Sequence, residues 1–162
     1  MGMHHIATCI PDRYSTVKGI RARIYRANST SPNSITAHFR VNTRQPSKDR
    51  FVFAADLLGN PRRQTYIHDI TLSIRYRRTL YKFLVFFKKH KMLPQNQSIQ
   101  NLGGSPINGD VLLIACGKRV SVRNLRSGLE DRVADKAIER LSDALSPIRS
   151  QRYFPPAISF DL

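Results

Sequence analysis

The chain is 162 residues long and carries 27 Lys and Arg against 11 Asp and Glu, a formal charge of +16. That length points to one domain with room for one real hydrophobic core. Its 41% apolar and 23% charged residues are an ordinary globular composition, which excludes a disordered basic tail as the source of the charge.

A packed body with such an imbalance repels itself, so a neutralising partner is expected: RNA, DNA, a nucleoprotein or an anionic membrane. Cys9 and Cys116 sit in no metal-ligand or CxxC spacing, and a reducing compartment is the default. No apolar stretch approaches the roughly 20 residues needed to cross a bilayer, and no secretory signal core opens the chain. Gly2 lacks the Ser or Thr that myristoylation wants, since Ile6 stands there. The acid-free, Arg- and Ser-rich stretch from Arg13 to Arg44 has the composition of a mitochondrial presequence, but its strand-like alternation argues against one.

In chain order, residues 1–14 have no period and read as an N-terminal arm. Met3, Ile6 and Ile10 are its apolar side chains, placed to fill a groove on a neighbouring copy. From Val17, Ile20, Ala22 and Ile24 alternate with Arg21, Arg23 and Tyr25, the pattern of a half-buried strand with the second set outward. After the loop NSTSPNS, Ile35, Ala37, Phe39 and Val41 alternate inward to give an antiparallel partner.

The period then changes. Ser47 or Asp49 caps a short helix, FVFAADLL, ended by Gly59, Asn60 and Pro61. Ile70, Leu72 and Ile74 return to strand spacing. In RTLYKFLVFFKKHK, Leu80, Phe83, Leu84 and Phe87 fall at i, i+3, i+4 and i+7, which predicts one apolar helix face. VLLIAC and RVSVRNL flank Gly117 and Lys118 as a hairpin with a two-residue turn.

Ser127 and Glu130 form a capping box for the last helix, whose face is Leu129, Val133, Ala137, Leu141 and Leu145 and which Pro147 stops. Its acids, Glu130, Asp131, Asp135, Glu139 and Asp143, read as a solvated face. Together these elements predict an α+β fold: a single compact domain over residues 15–147, with a small antiparallel sheet packed with two longer helices and one short helix. The arm at 1–14 precedes it, and residues 148–162 follow as a C-terminal extended tail.

The residues offer no enzyme site and imply no cofactor. The glycines at 103, 104 and 109 lack the Lys and hydroxyl of a P-loop. Ser15 and Lys18 match SxxK without companion motifs, and His4, His5, His38, His68 and His90 have no metal spacing. Nothing supplies nucleophile, base and orienter together. What stands out is the interval between Asp69 and Asp110, which contains no acid while Arg75, Arg77, Arg78, Lys82, Lys88, Lys89 and Lys91 crowd the predicted aromatic helix. This is the candidate surface for polyanion, membrane or nucleocapsid binding, with Arg119, Arg123 and Arg126 as a secondary basic surface.

The order of a strand ending in a basic turn (ITAHFRVNTRQP), a short helix with alanines and an acid (FVFAADLL) and a basic residue leading into RTLYKFLVFF around Tyr81-Lys82 resembles the globular core of rhabdovirus matrix proteins. The compact, cytorhabdovirus-like forms of plant-infecting members are most similar, over residues 35–89. The resemblance implies a structural protein of the virion, beneath the envelope, also found in host cytoplasm and at the membrane periphery, with the nucleus open to it. Its implied partners are itself, the viral nucleoprotein–RNA complex, the anionic membrane surface and RNA directly. The alternative of another class is a ribosomal or organellar RNA-binding protein.

Overall fold

A computed structural model describes residues 15–42, 67–88, 92–117, 122–145 and 157–162. The expected N-terminal arm with Met3, Ile6 and Ile10, the short helix FVFAADLL, and Lys89, Lys91 and Arg119 lie outside the described residues.

The first alternating stretch forms β1 (Ser15–Tyr25) and the second β2 (Asn33–Asn42), antiparallel with Ile20 opposite Ala37 and Ala22 opposite Ile35. Next come β3 (Ile67–Tyr76) and β4 (Thr79–Lys88), joined as a hairpin. A short helix α1 (Gln97–Asn101) precedes β5 (Val111–Cys116) and the brief β6 (Val122–Arg123). Helix α2 (Leu129–Leu145) and the edge strand β7 (Ala157–Asp161) complete the order.

The seven strands among the described residues belong to one mixed sheet, ordered β2-β1-β5-β4-β3-β7, with β6 paired to β5. Among the described strands only β7, within the segment assigned to the C-terminal extended tail, runs parallel to its neighbour, β3. The expected α+β body with a small sheet and two longer helices is therefore corrected. The sheet dominates, and the described residues hold one long helix of 17 residues and one of 5.

The helix expected over RTLYKFLVFFKKHK, which includes the Tyr81-Lys82 element of the matrix-protein resemblance, is strand β4 instead. The physical reason is its place in the sheet. β4 lies between β3 and β5, and from Phe83 to Phe87 both of its faces are buried. A strand covered on both sides reads as a continuous apolar run and loses the alternation that marks a half-buried one. Five successive apolar residues will then match an i, i+3, i+4 template by chance, and the aromatic and β-branched content of the run was the better guide.

Two apolar clusters occupy the two faces of the sheet. On the first, Tyr25, Ile70, Leu72, Ile74, Phe83, Val85, Phe87, Val111, Leu113 and Ala115 pack with Val133, Ala134, Ala137, Ile138 and Leu141 of α2 and Ile99 of α1. On the second, Ile20, Ala22, Ile24, Ala37, Leu84, Phe86, Leu112, Ile114 and Cys116 are all buried, and neither described helix contributes to it. Each fully buried Leu, Ile or Phe contributes roughly 1.5–3 kcal/mol of transfer free energy.

The stripe expected for α2 is buried at Val133, Ala137 and Leu141, while Leu129 is 40% exposed at the first turn. The β5–β6 register sets Cys116 opposite Val122, whereas the expected two-residue turn at Gly117-Lys118 would set it opposite Arg119; residues 118–121 lie outside the described residues.

Candidate polyanion-binding surface

β3 and β4 are joined by Arg77 and Arg78, with Tyr76 opposite Thr79 closing the turn. In the ladder Arg75 lies opposite Leu80 and Lys82 opposite Ser73, and side chains alternate faces along a strand. Arg75, Leu80 and Lys82 therefore emerge on one face at the hairpin end, with Arg77 and Arg78 at its tip, and all five are exposed. Arg77 extends over the Tyr76 ring, its guanidinium carbon 5.2 Å from the ring centroid. The one described acid near this group is Asp161, 4.0 Å from Arg75 Nε, in a pair exposed at both ends and screened by solvent.

Lys88 does not join them. Six residues along β4, it stands about 20 Å from Lys82 and is 5% exposed. It lines a shallow cavity of about 280 Å³ with Arg26, Leu93 and Asp110. Burial pushes the Lys88 ammonium below its ordinary pKa, with the Asp110 carboxylate acting in the opposite direction. Of the residues expected on one helix, the strand thus brings Arg75, Arg77, Arg78 and Lys82 together at one end and sends Lys88 to the other.

The secondary surface is also divided. Arg123 donates from both terminal nitrogens to Glu130, which is 4% exposed, and that pairing holds the guanidinium pKa up. The same Glu130 accepts the Arg126 backbone N–H, so it caps the chain entering α2 at Arg126 rather than forming the expected box with Ser127. Arg126 keeps an exposed side chain.

The acids expected to form a solvated helix face are instead largely used inside the protein. Arg21 donates to both oxygens of Asp131, at 3.1 and 2.8 Å, and Arg23 donates from Nε to Asp135 at 2.6 Å. The Tyr25 hydroxyl donates to Asp135 at 2.8 Å. Arg21, Arg23 and Tyr25, expected to face outward, therefore face α2. Burial works against the Asp131 charge, but the hydrogen bonds from Arg21 and the charges of Arg21 and Arg23 outweigh it and hold the carboxyl below its usual range. Burial, reinforced by Asp135, pushes the Tyr25 hydroxyl well above its ordinary value.

The signal for this network was in the spacing. Two arginines two apart on a strand are about 6.7 Å from one another, and two aspartates four apart on a helix about 6 Å. Such a strand and helix can pair rung to rung when they pack.

Among the described residues no group of three or more His, Cys, Asp or Glu is placed to hold a metal, and no helix is long and apolar enough to cross a membrane. Compared with protein-family models, with curated proteins and with solved structures, the chain matches none.

Proposed function

We propose that the protein is a non-enzymatic structural protein of viral-matrix type. It binds polyanions, assembles with copies of itself, condenses a ribonucleoprotein and links it to the anionic inner face of an envelope membrane. The observation that carries this reading is the segregation of charge. Asp110, Glu130, Asp131 and Asp135 are engaged by Arg26, Arg123, Arg21 and Arg23. Among the described residues, the hairpin-end cations Arg75, Arg77, Arg78 and Lys82 have one acid paired with them, the exposed Asp161. These four cations reach solvent together, and a large polyanion gains from such a cluster by releasing counterions.

The test is sedimentation of the protein with RNA and with phosphatidylserine-containing vesicles over a salt series, with light scattering to follow assembly. The expected result is binding to both that weakens as salt rises, accompanied by growth of large assemblies. Failure to bind either polyanion at low salt overturns the reading. Stoichiometric binding to one RNA site without assembly would assign the protein to the ribosomal or organellar class instead.

A further inference from the structure

The turn residues Arg77 and Arg78 both have positive φ, 48° and 65°. This is the two-residue hairpin turn in which Asn-Gly is preferred, because left-handed backbone crowds the Cβ of other residues. Two arginines therefore occupy positions at which arginine disfavours the fold. Among the described residues no carboxylate pairs with either, and Arg77 is steadied only by the Tyr76 ring.

A second feature sits beside them. Leu80 is 51% exposed, although Phe83, Leu84, Val85, Phe86 and Phe87 further along the same strand are buried. Nucleic acid offers phosphates to the arginines but takes up a leucine only where bases are unstacked at a cost. A bilayer surface offers both: anionic headgroups and, just beneath them, the acyl boundary.

We infer that the end of the β3–β4 hairpin is a membrane-docking finger, in which Arg77 and Arg78 hold the phosphates of anionic lipids while Leu80 enters the headgroup–acyl boundary. The inference rests on the polyanion reading above and assigns this face to one of its two polyanions. Lys82 and Arg75 extend the same positive field along the strands behind the tip.

Two variants of the full chain test it, Arg77→Asn/Arg78→Gly and Leu80→Ser, each assayed with phosphatidylcholine vesicles containing or lacking phosphatidylserine and with an oligouridylate RNA. The first installs the preferred turn, so its Tm should rise by about 2–8 °C, and loss of binding could not be assigned to misfolding. Its affinity for phosphatidylserine vesicles should fall about 30-fold, each basic side chain at such a surface being worth about fivefold. Its salt dependence should flatten as well. Leu80→Ser should weaken vesicle binding at every salt concentration, leave the salt dependence as it was, and leave RNA binding unchanged.

Unchanged vesicle binding in the first variant overturns the inference. If that variant loses RNA binding while keeping the vesicles, the hairpin belongs to the nucleic acid, and the polyanion reading stands without the finger. A parent chain that binds neither probe overturns both.

Discussion

Arg23 grips Asp135 with two parallel hydrogen bonds, Nε to Oδ1 at 2.6 Å and Nη2 to Oδ2 at 2.7 Å, across the boundary between β1 and α2. Tyr25 donates to the same carboxylate, so one aspartate on the helix satisfies two side chains of the strand. The Arg23 and Asp135 side chains are 14% and 19% exposed, and solvent does little to replace either partner. Asp135→Ala should therefore cost about 3 kcal/mol, most of it from the guanidinium and hydroxyl left behind. Replacing both partners, Arg23→Met with Asp135→Leu, should recover much of that loss. Urea denaturation of the singles and the double measures the coupling, and additive losses would show that the pair acts independently of its geometry.

Acid should loosen the same boundary. Asp131 has a folded pKa depressed below the unfolded value of about 3.9 by Arg21 and Arg23 acting against burial. A depressed carboxylate contributes stability that is present above the unfolded pKa and is lost as pH falls through the folded one. Asp131→Asn should lower stability by about 1 kcal/mol at neutral pH and converge on the parent at the acid end. Urea midpoints over an acid series read this directly. A constant gap between the two curves would assign the loss to packing rather than to charge.

Much of the sheet was legible because apolar and polar residues alternate along its strands, even where the polar side of β1 is covered by α2. Ile20, Ala22 and Ile24 alternate with polar partners, as do Ile70, Leu72 and Ile74, and both sets are buried in strands. Helix α2 was legible from Val133, Ala137 and Leu141 for the same reason at another period. β4 was not, because a strand buried on both faces carries no alternation, and its turn was hidden because Arg77-Arg78 has none of the glycine or asparagine that marks a tight hairpin. At the candidate site, the acid-free interval spans the β3–β4 hairpin. Which cations it gathers depended on whether Lys82 and Lys88 stood on a helix or were spread along a strand.

Asn96 is the buried polar residue on which the α1 corner depends. It is fully buried, donates to the carbonyls of Tyr25 at 2.8 Å and Gly109 at 2.7 Å, and accepts the Ile99 N–H at 3.0 Å to cap α1. Asn96→Ala leaves two buried carbonyls and an amide without these partners and should cost about 2–5 kcal/mol. Asn96→Asp keeps the cap but turns a donor into an oxygen facing two carbonyls, so it should be at least as destabilising at neutral pH. Thermal unfolding of both separates the roles, and an aspartate variant as stable as the parent would show that the cap alone matters.

The two faces of the sheet should behave as separate cores. Leu84 is 1% exposed in the cluster that neither described helix reaches, and Leu141 is fully buried under α2 on the other. Each change to Ala should cost about 2–5 kcal/mol. Because the clusters share no member, the double variant should lose the sum to within about 0.5 kcal/mol. A shortfall or excess well beyond that, read from urea denaturation, would mean that the sheet transmits the repacking from one face to the other.

Charge reversal along β4 should give opposite results at its two ends. Lys82 is exposed near the hairpin tip, so Lys82→Glu should leave stability within about 0.5 kcal/mol of the parent while weakening polyanion binding. Against phosphatidylserine vesicles its salt dependence should flatten as well. Lys88 is 5% exposed and shares its cavity with Asp110. Lys88→Glu would confine two carboxylates there, and the aspartate already holds the Arg26 side chain and the Ala27 N–H. The cost of that crowding falls on the fold, so Lys88→Glu should lower the melting temperature, and its binding should be compared only at temperatures where the variant remains folded. Under that condition its salt slope should match the parent. A full-sized slope change at Lys88 with an unchanged melting temperature would reverse the assignment, moving the polyanion from the hairpin end to the Arg26–Asp110 cavity.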